Sequence, residues 1–207
     1  MEDALGVSLF LTILLLSVTD LESEIDAGLS SHEVPRDTVL RWIESATDLP
    51  TLAKLYRLTG EGYYRIQPEL GKEAECRTVR EYLLECIRQD VTDDDEIESR
   101  WGASRTLHLW LRQLLETGGC SDEIEKTAHA ITELFLSSGK EIRLAIEQGF
   151  LEHALESAGL RPYFEDWPKN ERLRKTWEAA IAWANDHPHW SWKLHQEFMQ
   201  RTKDDKT

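Results

Sequence analysis

Apolar residues recur every three or four positions along most of this chain, and that spacing limits the folds open to it. One such set is Val79, Tyr82, Leu83, Cys86 and Ile87. Apolar residues at this spacing line one face of an α-helix, whereas a half-buried strand alternates with a period of two. Clean strand alternation is absent from the sequence. The pattern therefore predicts an all-α protein.

Breaks between the apolar segments mark where helices start and stop. Asp37 and Asp48 are predicted to cap two early helices, and the acidic run Asp93–Asp95 is predicted to open a later one. Residues 60–71 carry glycines, a proline and two tyrosines and are predicted to form an ordered loop. Short connections between successive amphipathic helices make neighbours antiparallel, so we expect a helical bundle or a short α-solenoid of antiparallel helices.

The charge and apolar patterns divide the chain into three parts. Residues 1–34 hold seven acids and no Lys or Arg, so they are interpreted as an acidic N-terminal arm with an apolar helix. Residues 35–200 are predicted to form a single helical domain, which suits a chain of 207 residues. Residues 201–207 are predicted to be a disordered tail.

The apolar run in the arm, from Val7 to Val18, is open to more than one interpretation. It is shorter than the roughly 20 apolar residues that span a bilayer. Glu2 and Asp3 precede it, where a signal peptide carries positive charge. The favoured interpretation is a helix over about 3–18 that packs on the body or on a partner, and the alternatives are an uncleaved signal and a peripheral membrane anchor. A polar stretch exposed to solvent is expected over Asp20–Asp26.

Charge composition constrains the partner. The chain has 39 acidic and 24 basic residues, for a net charge of −15. Nucleic-acid binding requires a basic footprint, which this balance argues against. It suits a protein partner that is basic. Three cysteines, Cys76, Cys86 and Cys120, form no paired metal-binding motif, and a reducing, cytoplasmic environment is the simplest interpretation.

Histidine and tryptophan concentrate near the C-terminus, and this is the sharpest local feature of the sequence. The candidate partner-binding residues are Trp183, His187, His189, Trp190 and Trp192. Tryptophan is enriched among the residues that dominate binding energies. Two alternatives remain open. The histidines could bind a transition metal together with Asp186 or His195, or the tryptophans could pack on the body with the histidines in solvent.

Motifs of catalysis and cofactor binding are missing from the sequence. It contains no nucleophile elbow, no HExxH, no phosphate-binding glycine loop and no dinucleotide fingerprint. The acidic run that begins at Asp93 lacks the ligand spacing and the central glycine of a calcium-binding loop. We therefore predict no catalytic residues, no metal ligands and no cofactor.

Several segments resemble known helical proteins. The stretch from Glu141 to Leu155, with residues 121–138 as its partner, resembles a helix of an armadillo or HEAT repeat unit, although no second copy follows at a fixed period. Four segments are similar to an uncharacterised bacterial helical family that includes candidate immunity proteins of toxin systems: Asp48–Tyr56, Tyr82–Arg88, Ala145–Glu152 and Phe164–Trp167. This resemblance covers most of residues 38–186 and implies a helical fold in a bacterial cytoplasmic protein. It supplies no catalytic residues.

Together these patterns predict a non-enzymatic protein-interaction module that occludes its partner, in the manner of an immunity or antitoxin-like protein. The first alternative is an adaptor or regulator that uses an armadillo-like groove. The second is a metal- or small-molecule-binding enzyme built on the C-terminal histidine and tryptophan cluster.

Overall fold

A computed structural model describes residues 21–91, 97–188 and 193 of the chain, and it confirms the all-α fold over those residues. The helices are α1 (residues 21–29), α2 (Arg36–Ser45), α3 (Leu49–Gly60), α4 (Lys72–Gln89), α5 (Arg100–Thr117), α6 (Ser121–Ser137), α7 (Lys140–Leu144), α8 (Glu152–Ala154) and α9 (Glu171–Asp186). A π-helical segment, Ala145–Leu151, joins α7 to α8. Short 3₁₀ turns cover Tyr63–Arg65, Arg161–Phe164 and Trp167–Lys169.

The chain groups into two compact units, one ending at Tyr82 and the other beginning at Leu83. Residues 35–200 were predicted to form one domain. The described part of that range is divided between the two units. Two strands of two residues each, β1 (Val34–Pro35) and β2 (Ile66–Gln67), pair in parallel within the first unit.

Helix α1 belongs to the core of the first unit. Leu21, Ile25 and Leu29 recur every four residues and form an apolar stripe. Ile25 is fully buried in a cluster with Val39 and Trp42, and the other two leucines pack partly buried against it. The expectation that this stretch reaches solvent holds for Glu24 and Asp26, which are exposed, but it missed the apolar stripe that packs α1 on the core. The predicted helix over 3–18 lies outside the described residues.

The acids of α1 are paired although they reach solvent. Glu24 accepts hydrogen bonds from Trp42 Nε1 at 2.9 Å and from Arg41 at 2.8 Å. These two donors, Trp42 first, lower the pKa of Glu24. Lys54 of α3 donates to both Glu22 and Asp26 at 2.8 Å. Burial alone would favour a neutral Lys54, but the two carboxylates raise its pKa. Charges on α1 therefore help to hold it on α2 and α3.

The helix starts agree with the sequence at some positions and differ at others. Asp48 caps α3 by accepting from the Thr51 N–H at 3.0 Å, as predicted. Asp37 does not cap α2, because the helix begins at Arg36, one residue before Asp37, and Pro35 occupies the cap position. The acidic run Asp93–Asp95, which was predicted to open a helix, lies outside the described residues. Helix α5 begins at Arg100, and the Ser99 hydroxyl caps it.

In the second unit, the π-helical segment packs on α5. Gly149 makes the close approach possible, because a Cβ at this position would lie 2.9 Å from Ser104 Cβ and 3.2 Å from the Trp101 ring. The ring of Trp167, which is buried, lies 5.2 Å from Phe135 and 5.9 Å from Phe164, and its Nε1 donates to Thr132 at 2.9 Å. Contacts of this kind between aromatic rings stabilise the packing of the second unit.

Arginines satisfy the carbonyls at several helix ends of the second unit. Arg143 donates to the Phe135 carbonyl at 3.0 Å and Arg172 to the Leu136 carbonyl at 2.7 Å, both near the C-terminus of α6. Arg100 donates to the Ile87 carbonyl at 2.8 Å, near the end of α4. The last carbonyls of a helix have no partner within the helix, so these contacts stabilise the ends.

The three cysteines are buried, and none of them forms a disulfide bond. Within residues 21–91 and 97–188, no helix is both long and apolar enough to cross a membrane.

Candidate functional site

Two of the five predicted partner-binding residues meet at the end of α9. The Trp183 and His187 rings stack at 4.5 Å with 17° between their planes. The backbone N–H and the ring Nδ1 of His187 both lie 3.0 Å from the Trp183 carbonyl. A carbonyl only accepts, so Nδ1 carries the proton in this contact. His187 thereby closes the helix and covers one face of Trp183.

The Trp183 ring also contacts a histidine of α8. His153 lies edge-to-face against it, with 4.8 Å between ring centres and 86° between planes. His153 Nδ1 is 2.9 Å from the Glu156 carboxylate, whose side chain is fully buried. The next ring inward is His108 of α5, at 5.1 Å from His153. His108, His153, Trp183 and His187 thus form a histidine–tryptophan row that runs from the core to the surface.

His108 lies in the core, with only 1% of the residue exposed. It packs against a second imidazole, that of His153, which is tied to a buried carboxylate. His129 of α6, by contrast, is exposed.

Glu152 is the acid most affected by this environment. Burial raises the pKa of Glu152, and the nearby Glu147 carboxylate raises it further. His153 and His187 act in the opposite direction, because a positive charge on either ring favours the ionised acid. Burial is the largest of these influences, so the pKa of Glu152 is raised on balance.

The remaining predicted partner-binding residues, His189, Trp190 and Trp192, lie outside the described residues, and so does His195. Among the residues that are described, no group of three or more His, Cys, Asp or Glu side chains is arranged to hold a metal ion. The metal alternative for His187 therefore gains no support from its described neighbours.

A second candidate surface, in the first unit, was not identified from the sequence. Tyr63 and Tyr64 are 62% and 60% exposed, although large aromatic side chains are usually buried. Their rings lie edge-to-face at 6.0 Å. The Arg65 guanidinium lies 5.4 Å from the Tyr64 ring centre and donates to the Tyr64 hydroxyl at 3.2 Å. Arg65 also donates to the Leu29 carbonyl at 2.5 Å, which ties the turn to α1.

The sequence carried a signal for this tyrosine turn, which we define as Tyr63–Arg65. Two consecutive tyrosines after Gly60 and Gly62 break the helical spacing of the apolar residues, so they fit no helix stripe. The segment was correctly expected to be an ordered loop.

Comparison with known proteins gives no relative for this chain: no family model, no curated protein and no solved structure matches it.

Proposed function

We propose that this chain is a non-enzymatic protein-interaction module that binds a basic protein partner and occludes part of its surface. The observation that supports the proposal is the tyrosine turn, where two aromatic side chains are exposed to solvent and Arg65 contacts the ring and the hydroxyl of one of them, Tyr64. The histidine–tryptophan row offers a second contact surface through the exposed His187 and the half-buried Trp183.

Tyrosines in this setting suit the energetics of protein recognition. Tyrosine is enriched among the residues that contribute most to binding, since a rigid ring with a polar tip buries much area at a low entropy cost. Arg65 restricts Tyr64 before any partner arrives, because it contacts both the ring and the hydroxyl. Ordering these groups in advance reduces the loss of conformational entropy on binding.

The charge of the chain selects the class of partner. A net charge of −15 repels acidic proteins and attracts basic ones. Glu61 and Glu69 flank the tyrosine turn in the sequence, and both are exposed. Opposite charge speeds the encounter of two proteins and disfavours wrong partners, so a basic surface is the natural complement of this one.

Occlusion of the partner's surface is the simplest mechanism for such a module, because it requires no catalytic residues. A module that covers a functional surface of a toxin needs shape and charge complementarity, with no chemistry of its own. The resemblance of several segments to candidate bacterial immunity proteins supports this version of the proposal. A neighbouring gene that encodes a basic toxin is the genomic arrangement expected for it.

Site-specific photo-crosslinking tests the proposal. A benzophenone amino acid placed at position 64 in the full chain should crosslink, in cells that carry the native gene neighbourhood, to a basic polypeptide. The matched control places the same group at Trp101, an aromatic residue of the second unit that is 47% exposed. The proposal predicts one dominant adduct at position 64 that is absent from the control.

Either of two outcomes would contradict the proposal. One is an adduct to an acidic protein or to nucleic acid at position 64, since neither fits the charge of the chain. The other is the same set of adducts at positions 64 and 101, which would show that exposed aromatic groups of this chain crosslink without selection.

A further inference from the structure

The first unit contains a groove between α2 and the first turns of α4, with a volume of about 410 Å³. The residues that line it and bear on its chemistry are Arg36, Leu40, Ile43, Glu44, Ala74 and Arg77. Ile43 is buried in the core cluster of the unit, and Leu40 and Ala74 pack against that cluster. The α2–α4 groove therefore combines an apolar wall with side chains of both charges.

Two charged side chains of the groove, those of Arg77 and Glu44, are open to a ligand. Neither Arg77 nor Glu44 forms a hydrogen bond or ion pair with another residue in the described part of the chain. Arg36 Nε is buried without a hydrogen-bond partner, and its nearest carboxylate oxygen, on Asp37, is 3.7 Å away. That distance is too long for a hydrogen bond. By contrast, Arg41 on the same helix forms an ion pair with Glu24 at 2.8 Å.

Arg36 Nε has no acceptor among the described residues of the protein, and the Arg36 side chain is 43% exposed, so a ligand can reach its guanidinium. Arginine presents a planar set of donors that matches a carboxylate or a phosphate, and two arginines line this groove. Glu44 and Glu73 line it as well and balance the two positive charges. A singly charged carboxylate therefore fits better than a doubly charged phosphate.

We propose that the α2–α4 groove binds the C-terminal residue of a peptide with an apolar side chain. The terminal carboxylate accepts hydrogen bonds from Arg36 and Arg77. The apolar side chain packs on Leu40, Ile43 and Ala74. The amide N–H of the same residue donates to Glu44, and this contact distinguishes a peptide end from a simple fatty acid.

The test is a titration of the full-length, ¹⁵N-labelled protein followed by NMR. The probes are N-acetyl-Ala-Leu with a free carboxylate and the same peptide with a C-terminal amide. The free acid should shift the amide signals of Leu40, Ile43 and Ala74 saturably. The amide form should bind at least about tenfold more weakly, because it lacks the charge that the arginines recognise.

Two variants make the test specific. Arg77→Gln should weaken binding of the free acid about tenfold, which corresponds to loss of one charge-assisted contact. Arg77 is exposed, so the NMR spectrum of the variant protein should otherwise resemble that of the parent. Arg105→Gln is the matched control, since Arg105 is an exposed arginine of α5 outside the groove and its loss changes the net charge equally. It should leave the affinity unchanged.

The proposal is overturned by equal affinity for the acid and the amide, or by equal effects of the two arginine substitutions. It is overturned as well if no saturable shift occurs at these residues up to about 10 mM peptide, a concentration that would reveal even a weak site. The site is separate from the tyrosine turn, so any of these results leaves the proposed protein-interaction function standing.

Discussion

Glu152 shows how a single side chain can make stability depend on pH. Burial raises the pKa of Glu152 in the folded protein. Below the ordinary glutamate pKa, both the folded and the unfolded chain hold the proton. As the pH rises, the unfolded chain releases its proton first, so stability falls until the pH has passed the folded pKa. At neutral pH, an ionised Glu152 therefore destabilises the fold.

We expect Glu152→Gln to raise the melting temperature at pH 7, because the amide keeps the shape of the side chain and has no charge to bury. Near pH 3, below the ordinary glutamate pKa of about 4.3, parent and variant should melt alike. Differential scanning calorimetry at both values of pH measures the effect. Glu125→Gln, at an exposed position of α6, is the control for the change in net charge. A variant that melts at or below the parent temperature at pH 7 would contradict this account of Glu152.

Individual side chains also show which contacts can be predicted from the sequence and which cannot. The Asp48 cap could be predicted because a cap is local, and its bond spans three residues. The contacts of Glu24 with Trp42 and of Lys54 with Asp26 span 18 and 28 residues. Such pairs follow from the packing of whole helices, and a single sequence does not reveal them.

Helix α1 is the element whose role the sequence obscured most. Its stripe of Leu21, Ile25 and Leu29 alternates with Glu22, Glu24 and Asp26, and the density of acids concealed the four-residue spacing. The run over residues 5–18 is longer and more apolar, so the helix of this region was predicted there. The longer helices α3, α4 and α6 were predicted because each carries several apolar residues on one face and a clear boundary.

Replacing Ile25 tests whether α1 is part of the core. Ile25 is fully buried, so Ile25→Ala should lower the free energy of unfolding by about 2–5 kcal/mol. The loss should appear in urea denaturation and in faster hydrogen exchange at the amides of the first unit. Ser23→Ala is the matched control on the exposed side of the helix and should change the free energy by less than about 0.5 kcal/mol. An Ile25→Ala protein as stable as the Ser23→Ala protein would show that α1 contributes nothing to the core.

At the scale of the whole molecule, fold class and charge could be predicted, whereas the contact surfaces could not. Helical spacing is a property of composition and order, and it predicted the all-α fold. The exposure of Tyr63 and Tyr64 and the order of rings in the histidine–tryptophan row depend on which helices pack together. The sequence drew attention to Trp183 and His187, but their contact with His153 required the folded chain.

In the proposed complex, the net charge of −15 favours a basic partner and the tyrosine turn supplies an anchor for it. Charge steering acts mainly on the association rate, whereas buried anchors act mainly on dissociation. A basic partner bound at the tyrosine turn should therefore associate more slowly as salt is added, while loss of the anchors should appear in the dissociation rate.

The most direct measurement is the affinity of the partner crosslinked at position 64, purified, for the parent chain and for the Tyr63→Ser, Tyr64→Ser double variant. Both rings are exposed, so the variant should keep the parent melting temperature. The account predicts an affinity at least tenfold weaker, or about 1.4 kcal/mol, carried by faster dissociation. Equal affinity of the parent and the double variant, with both proteins folded, would contradict it.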